Sequence, residues 1–149
     1  MLQSPDAHDY VLFELRGRRY ALPVEHVLEV VPLVGSTPAP AQQAGFRGLV
    51  NLRGAHVPVL DLALALGEPA AELTLQHKLL VAQDGGTCAA LIVDDVIGAA
   101  RMAPGPPDDR LDASRVRAIG LHDGQTVLVL ALEGLLRGSS GARTESRVT

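Results

Sequence analysis

Side chains capable of acid–base or metal chemistry are present in this chain, but their spacing does not assemble a catalytic site. Five histidines are scattered along the sequence: His8, His26, His56, His77 and His122. None of them has an H-E-x-x-H or comparable ligand spacing, so they predict no metal site. Two pairs of adjacent carboxylates, Asp94-Asp95 and Asp108-Asp109, remain. Asp94-Asp95 precedes an apolar run, where acidic residues complement a helix dipole. Asp108-Asp109 lies in a proline-rich loop, where a solvated charge is expected. We therefore predict no catalytic residue, no cofactor and no metal.

Motifs for nucleophilic catalysis or nucleotide binding are missing as well. Cys88 lies in TCAALIV, an apolar run typical of a buried strand, and no basic residue stands beside it. A structural thiol is therefore expected rather than a reactive one. No G-x-S-x-G, Walker or G-x-G-x-x-G pattern occurs. A single cysteine excludes an intrachain disulfide and is typical of a reducing compartment.

The remaining candidate is an arginine at a predicted turn. From Gly48 the chain is GLVNLRGAHVPVLDL, with strand-like apolar alternation on both sides of Asn51-Leu52-Arg53-Gly54. An exposed turn arginine contributes only about 0–1 kcal/mol to folding, so stability supplies little reason for arginine here. As an interface anchor, a guanidinium pairs well with a partner carboxylate, and its loss costs about 2 kcal/mol or more in binding. The residues alone leave both interpretations open, a solvated charge and a docking residue.

Composition narrows the classes of function. The 149 residues are 47% hydrophobic, which suits one compact domain or two small lobes with an aliphatic core. The net charge of −4 and the aromatic content of 3% argue against nucleic acid as the main partner. The start, MLQSPDAHDY, has no signal-peptide pattern, and no apolar run approaches the roughly 18–20 residues of a membrane span. We predict a cytoplasmic protein without direct membrane insertion.

Strand and turn signals dominate the chain. Apolar runs flank Arg16-Gly17, Asp84-Gly85-Gly86 and Asp123-Gly124. Asp-Gly between such runs predicts a tight hairpin, because the turn needs positive φ. Short helical pieces are predicted at three places, Val24–Val30, Leu62–Leu66 and Leu132–Leu136.

An internal repeat is the most informative feature of the sequence. LPVEHVLEV, from Leu22, aligns with LIVDDVIGA, which starts 69 residues later at Leu91. VPVLDLALAL, from Val57, aligns with VLVLALEGLL, 70 residues later at Val127. The nearly equal offsets indicate one duplicated unit. Because a unit of this size buries too little surface alone, we predict two small β-barrels that share a core, with short helices.

In these segments the chain resembles the CheW-like domains, the coupling adaptors of bacterial chemosensory arrays. The matching pieces are FELRGRRYALPVEHVLEV, GFRGLVNLRGAHVPVLDL, LIVDDVIGA and TVLVLALEGLL, of which NLRG followed by PVLDL is the most specific. The resemblance covers residues 10–136 and leaves a flexible N-terminus at 1–9 and a disordered tail at 137–149. It implies a mainly β fold of two SH3-like five-stranded barrels around a common core, and no catalytic activity.

The resemblance also implies partners and a binding site. The partners are a CheA-type histidine kinase and the cytoplasmic tip of a methyl-accepting chemoreceptor. The implied contact residues are Val27, Glu29, Gly48, Asn51, Arg53 and Gly54. Asp61 matches too, but we expect it to cap the following helical turn. The stretch from Met102 to Val116 is shorter and richer in proline than expected of the family.

Two other classes of function stay open on the residues. One is a regulatory or small-ligand binding module of the same fold outside a receptor array, which a pocket between the lobes would favour. The other is a metal-dependent enzyme that uses Asp94 and His56, which a stoichiometric metal would favour.

Overall fold

The computed structural model describes residues 7–33, 45–69, 72–107 and 114–140, with side chains as far as Leu136. Its strands are β1 (His8–Leu15), β2 (Arg18–Pro23), β3 (Val27–Pro32), β4 (Phe46–Leu52), β5 (Ala55–Asp61), β6 (Lys78–Asp84), β7 (Thr87–Val93), β8 (Asp95–Met102), β9 (Val116–His122) and β10 (Gln125–Leu130). Its α-helices are α1 (Leu62–Ala65) and α2 (Leu132–Ser140), and a 3-10 turn covers Val24–His26.

Two-residue turns form the hairpins that the sequence predicts. In β1–β2 the turn residues Arg16 and Gly17 have φ of 54° and 81°, and in β9–β10 Asp123 and Gly124 have φ of 52° and 76°. Positive φ at both turn positions matches the right-handed twist of the flanking strands. The β6–β7 turn is Gly85-Gly86, with Asp84 as the last residue of β6. Local turn chemistry therefore determines these hairpins.

The strands form two five-stranded sheets that exchange elements between the halves of the repeat. The first barrel has the order β8-β1-β2-β10-β9, and the second has β3-β6-β7-β5-β4. The internal repeat relates β1–β5 to β6–β10 in chain order, so the strand orders of the two sheets are equivalent. Each barrel joins the first hairpin of one half to the third strand and second hairpin of the other. The parallel pairs β2–β10 and β5–β7 make this junction.

Burial follows the two-residue period of the strands. In β1, Phe13 and Leu15 lie in the core between the barrels, whereas Leu12 lies inside the first barrel. In β7, Leu91 faces the shared core and Ile92 the interior of the second barrel. Because these strands are buried on both faces, they are almost continuously apolar in sequence. The mainly β fold of two barrels around a common aliphatic core is as predicted.

Three predicted boundaries are corrected. Only Val24–His26 of the predicted helix Val24–Val30 is helical, because the β-branched segment that follows pairs with β6 as strand β3. β1 begins at His8, inside the segment predicted to be flexible. Helix α2 continues to Ser140, inside the predicted disordered tail, whose residues 141–149 lie outside the described part.

Helix α2 packs closely on the segment before β9, and this contact depends on Gly134. A Cβ at Gly134 would overlap the backbone carbonyl of Ser114. Backbone cannot yield as a flexible side chain can, so the overlap outweighs the gain of roughly 1 kcal/mol that alanine brings to a helix interior.

We predict that Gly134→Ala lowers the free energy of unfolding by about 1–3 kcal/mol, measured by urea unfolding. Gly86→Ala is the matched control, because no heavy atom lies within 4 Å of a Cβ at that turn position. Equal stability of the two variants would contradict close packing at Gly134.

Candidate partner-binding site at the β4–β5 turn

The β4–β5 turn holds Arg53 in a backbone conformation that arginine disfavours. Arg53 has φ of 52° and Gly54 has φ of 86°. The Asn51 side chain closes the turn, since its Oδ1 accepts a hydrogen bond from the Gly54 N–H at 2.9 Å. Non-glycine residues with left-handed backbone cost roughly 1–2 kcal/mol, and asparagine or aspartate tolerates it best. Arginine is therefore not the residue that this turn geometry favours.

Arg53 pairs with Glu29, and the structure thus brings together two of the predicted site residues. Its Nη1 and Nη2 donate to Glu29 Oε2 and Oε1, both at 2.7 Å. This is the two-pronged geometry that a planar guanidinium and a carboxylate prefer. The Arg53 side chain is 72% exposed and that of Glu29 27%. The pair therefore lies at the surface and presents positive charge outward.

The ion pair spans the two ends of the second sheet. Glu29 belongs to β3 and Arg53 follows β4, and these two strands are the terminal ones in the order of that sheet. Three apolar side chains on the same strands are exposed: Leu28 at 55%, Val30 at 40% and Leu49 at 62%. The candidate site is thus a charged pair with apolar side chains exposed on its two strands.

Sequence analysis missed these three apolar residues. Strands β3 and β4 are apolar at most positions, and such a pattern does not reveal which face is covered. These side chains are exposed because β3 and β4 are the end strands of the sheet. That position depends on the pairing of strands that are distant in the sequence.

The other predicted site residues support the hairpin or the core. Gly48 has φ of 94° where the pairing of β4 with β5 shifts register, so it accommodates a bulge. Val27 is half-buried and packs against the shared core. Asn51 and Gly54 shape the turn. Among the predicted residues, Arg53 and Glu29 are therefore the two that carry the exposed charge.

The repeat separates residues that the fold requires from those that it does not. Gly54 corresponds to Gly124, which also has positive φ at the second turn position. Arg53 corresponds to Asp123, and Glu29 corresponds to Gly98. The turn glycine recurs in both barrels, whereas neither partner of the ion pair does. The barrel architecture therefore does not depend on this pair.

Asp61 has the structural role expected of it. Its Oδ1 accepts a hydrogen bond from the N–H of Leu64 and caps α1, and its Oδ2 accepts one from Arg47 Nη1 at 3.1 Å. Asp61 is fully buried and the Arg47 side chain is 12% exposed. The charges are thus satisfied inside the protein.

Asp94 and Asp95, two of the candidates for catalysis, form ion pairs that link neighbouring segments. Asp94 pairs with His77 at 3.2 Å and accepts the N–H of Arg16 at 2.8 Å. Asp95 pairs with Lys78 at 2.9 Å, and the hydrogen bond from Lys78 lowers the pKa of Asp95. His56 lies on β5 opposite Asn51.

The surroundings of Cys88 are those of a structural thiol. Burial raises the pKa of Cys88, which packs against the interior of the second barrel. Within the four described ranges, no group of three His, Cys, Asp or Glu side chains is placed to hold a metal ion. Over the same ranges, no helix has the length and apolar character needed to cross a membrane.

Comparison with known proteins defines the family. The model of the CheW-like domain matches residues 9–140, which is most of the chain. The chain therefore belongs to the CheW-like domain family.

Individual relatives agree with this assignment. A stretch of 88 residues is 33% identical to the chemotaxis protein CheW of Rhizobium meliloti and covers 59% of this chain and 57% of that protein. Protein PilI of Pseudomonas aeruginosa is 34% identical over 58% of this chain and 48% of its own length. The chain thus spans about half the length of these curated relatives. Protein FrzA of Myxococcus xanthus is 29% identical over 80% of this chain and 76% of its own.

A solved structure shares the fold over most of its length. The scaffolding protein TtCheW from Thermoanaerobacter tengcongensis superposes with a TM-score of 0.70 at 28% identity. The match covers 83% of this chain and 88% of TtCheW.

We predict that Asn51→Ala lowers the free energy of unfolding by about 0.5–1.5 kcal/mol, because the Gly54 N–H loses its acceptor. Asn51→Asp retains an acceptor oxygen and should keep most of that stability. Both are measured by urea unfolding. If aspartate is as destabilising as alanine, the hydrogen bond is not what holds the turn.

Proposed function

We propose that this chain is a non-enzymatic chemosensory adaptor of the cytoplasm, which couples the cytoplasmic tip of a methyl-accepting chemoreceptor to a CheA-type histidine kinase. The observation that carries the proposal is the exposed Arg53–Glu29 pair on the end strands of the second sheet. Membership of the CheW-like family and the scaffolding and chemotaxis names of its relatives support it.

Arg53 can contact a partner without leaving Glu29. A guanidinium has several N–H donors, and the contact with Glu29 uses one on each terminal nitrogen. The remaining donors belong to a side chain that is 72% exposed. Glu29 meanwhile holds the guanidinium in one orientation, which reduces the entropy lost when a partner binds.

The exposed apolar residues supply the second part of a binding surface. Leu28 and Val30 on β3, and Leu49 on β4, would lose contact with water when a partner covers the end strands. An exposed arginine and exposed apolar side chains on the neighbouring strands supply the two kinds of contact that binding hot spots combine. We assign the affinity for a partner to these side chains rather than to backbone groups of β3 and β4.

The turn conformation separates binding from stability. Asparagine followed by glycine is the preferred pair for a hairpin turn with positive φ at both positions. Arg53→Asn therefore removes the charge and relieves backbone strain at the same time. The lost surface ion pair contributes only about 0–1 kcal/mol.

We predict that Arg53→Asn leaves the free energy of unfolding unchanged within about 1 kcal/mol, or raises it. Its affinity for the kinase regulatory domain or the receptor tip should fall about tenfold or more. Unfolding by urea and titration with each purified partner are the measurements. Arg101→Asn is the control, since Arg101 is also exposed and paired, with Asp9 at 3.2 Å on the first barrel.

The outcomes distinguish the proposal from its rivals. Unchanged affinity of Arg53→Asn for both partners would exclude a docking role for Arg53. A chain that captures neither partner, yet melts at a higher temperature with a metabolite, would favour the small-ligand module. Stoichiometric metal in the purified chain would instead favour an enzyme.

A further inference from the structure

A pocket of about 500 Å³ opens at one end of the first barrel, away from the β4–β5 turn. Tyr10 of β1, Pro23 of β2 and Val129 of β10 line its inner part, and Tyr10 and Val129 also belong to the interior cluster of that barrel. Pro104 and Pro106 form part of the rim. The volume lies within the range of roughly 300–1,000 Å³ that is usual for small-ligand sites.

The rim is held in place by backbone hydrogen bonds. Gly105 donates its N–H to the carbonyl of Ile119 at 2.9 Å, and Ile119 donates to Gly105 at 3.0 Å. The proline-rich segment after β8 is therefore attached to β9. The pocket is thus formed without a ligand, which keeps the entropic cost of binding low.

The polar groups that line the pocket include one arginine, Arg117, and one ion pair, His8–Glu25. His8 Nε2 contacts Glu25 Oε1 at 2.7 Å, and the hydrogen bond from His8 lowers the pKa of Glu25. Glu25 is therefore ionised and engaged at neutral pH. Within the described part of the chain, Arg117 has no ion pair or hydrogen bond. An arginine that lines a pocket and has free donors is suited to an anion.

Tyr10 lies beside both charged groups. Burial raises the pKa of Tyr10, the positive charge of Arg117 opposes the rise, and the negative charge of Glu25 adds to it. The hydroxyl is thus protonated at neutral pH. Over the described ranges it has no hydrogen-bond partner, so it is free to donate to a ligand.

The internal repeat shows why Arg117 lacks a carboxylate partner among the described residues. Arg117 corresponds to Arg47 of the second barrel, which pairs with the fully buried Asp61. The residue that corresponds to Asp61 is Ala131. The first barrel therefore keeps the arginine but lacks the carboxylate that satisfies it in the second.

The two barrels also differ in two of the side chains at this end. Tyr10 and Pro23 correspond to Leu79 and Ile92, which are fully buried in the second barrel. In the first barrel Pro23 is buried as well, and Tyr10 is half-buried. The second barrel has a pocket of about 440 Å³ at the corresponding place, lined by His77 and Asp94, which correspond to His8 and Glu25, but Arg47 is not among the residues that line it.

We propose that this pocket binds a small organic monocarboxylate with an aliphatic body. Arg117 pairs with the carboxylate, the Tyr10 hydroxyl donates a further hydrogen bond, and the body packs on the Tyr10 ring and on Pro104 and Pro106 at the rim. A phosphate dianion fits less well, because one arginine balances only part of its charge and Glu25 repels it. This site is separate from the Arg53–Glu29 pair and does not depend on the proposed adaptor function.

The test is an NMR titration of the full chain with N-acetyl-L-leucine and with isocaproate, which both carry a carboxylate on an aliphatic body. N-acetyl-L-leucinamide, which has the same body without the charge, and inorganic phosphate are the comparison probes. We expect both carboxylates to shift the amide resonances of Gly105 and Ala118, with at least about tenfold higher affinity than the amide or phosphate.

Two variants locate the charge that is responsible. Arg117→Gln should weaken carboxylate binding about tenfold or more without changing the unfolding midpoint. Arg101→Gln, elsewhere on the same barrel, should leave carboxylate binding unchanged. Binding that the amide matches, or that Arg117→Gln retains, would overturn the proposal, as would the absence of shifts with both carboxylates.

A third variant tests whether the chain occupies its own pocket. Asp108 and Asp109 lie outside the described residues and follow Pro107 directly. If carboxylates bind only after both are replaced by asparagine, the chain's own carboxylates occupy Arg117 and the proposal is wrong. Equal binding with and without these replacements supports it.

Discussion

Parallel pairing between distant strands is the interaction on which this structure depends. Ala21 of β2 pairs with Val129 of β10, and Val59 of β5 pairs with Ala90 of β7. These two junctions place hairpins from opposite halves of the repeat in one sheet, so neither half completes a barrel by itself. They also place one face of each barrel against the other, where the shared aliphatic core excludes water. The hydrophobic effect thereby acts on both halves together, because the shared core is buried only when both are present.

The same junctions decide which strands are terminal and therefore where contacts with other molecules are possible. Strands β3 and β4 end the second sheet, and their apolar side chains and the Arg53–Glu29 pair lie where the ladder stops. A hairpin turn with positive φ would be more stable with asparagine than with arginine. The cost of arginine there is modest beside the stability of a domain, so binding is a sufficient physical reason to retain it.

Duplication makes each barrel a reference for the other. Positions that recur, such as the turn glycines Gly54 and Gly124, belong to the architecture. Positions that differ between the barrels are those that the shared architecture does not require. Glu29 has a glycine as its counterpart. Arg117 corresponds to Arg47, but the position of Arg47's buried partner Asp61 is occupied by Ala131 in the other half. The charged groups whose pairing the repeat does not share therefore lie on a sheet edge in one barrel and in a pocket in the other.

Hairpins, the repeat and the helix cap at Asp61 were predictable from sequence, because each depends on residues within a few positions or on direct self-similarity. The helix predicted at Val24–Val30 was largely wrong, since pairing with β6 outweighs local helical tendency. The sequence alone determined that Arg53 stands at a turn that does not need it. Only the tertiary structure decided that Glu29, 24 residues away, is its partner. Turn conformation depends on neighbouring residues, whereas the meeting of two sheet ends depends on how every strand between them is paired.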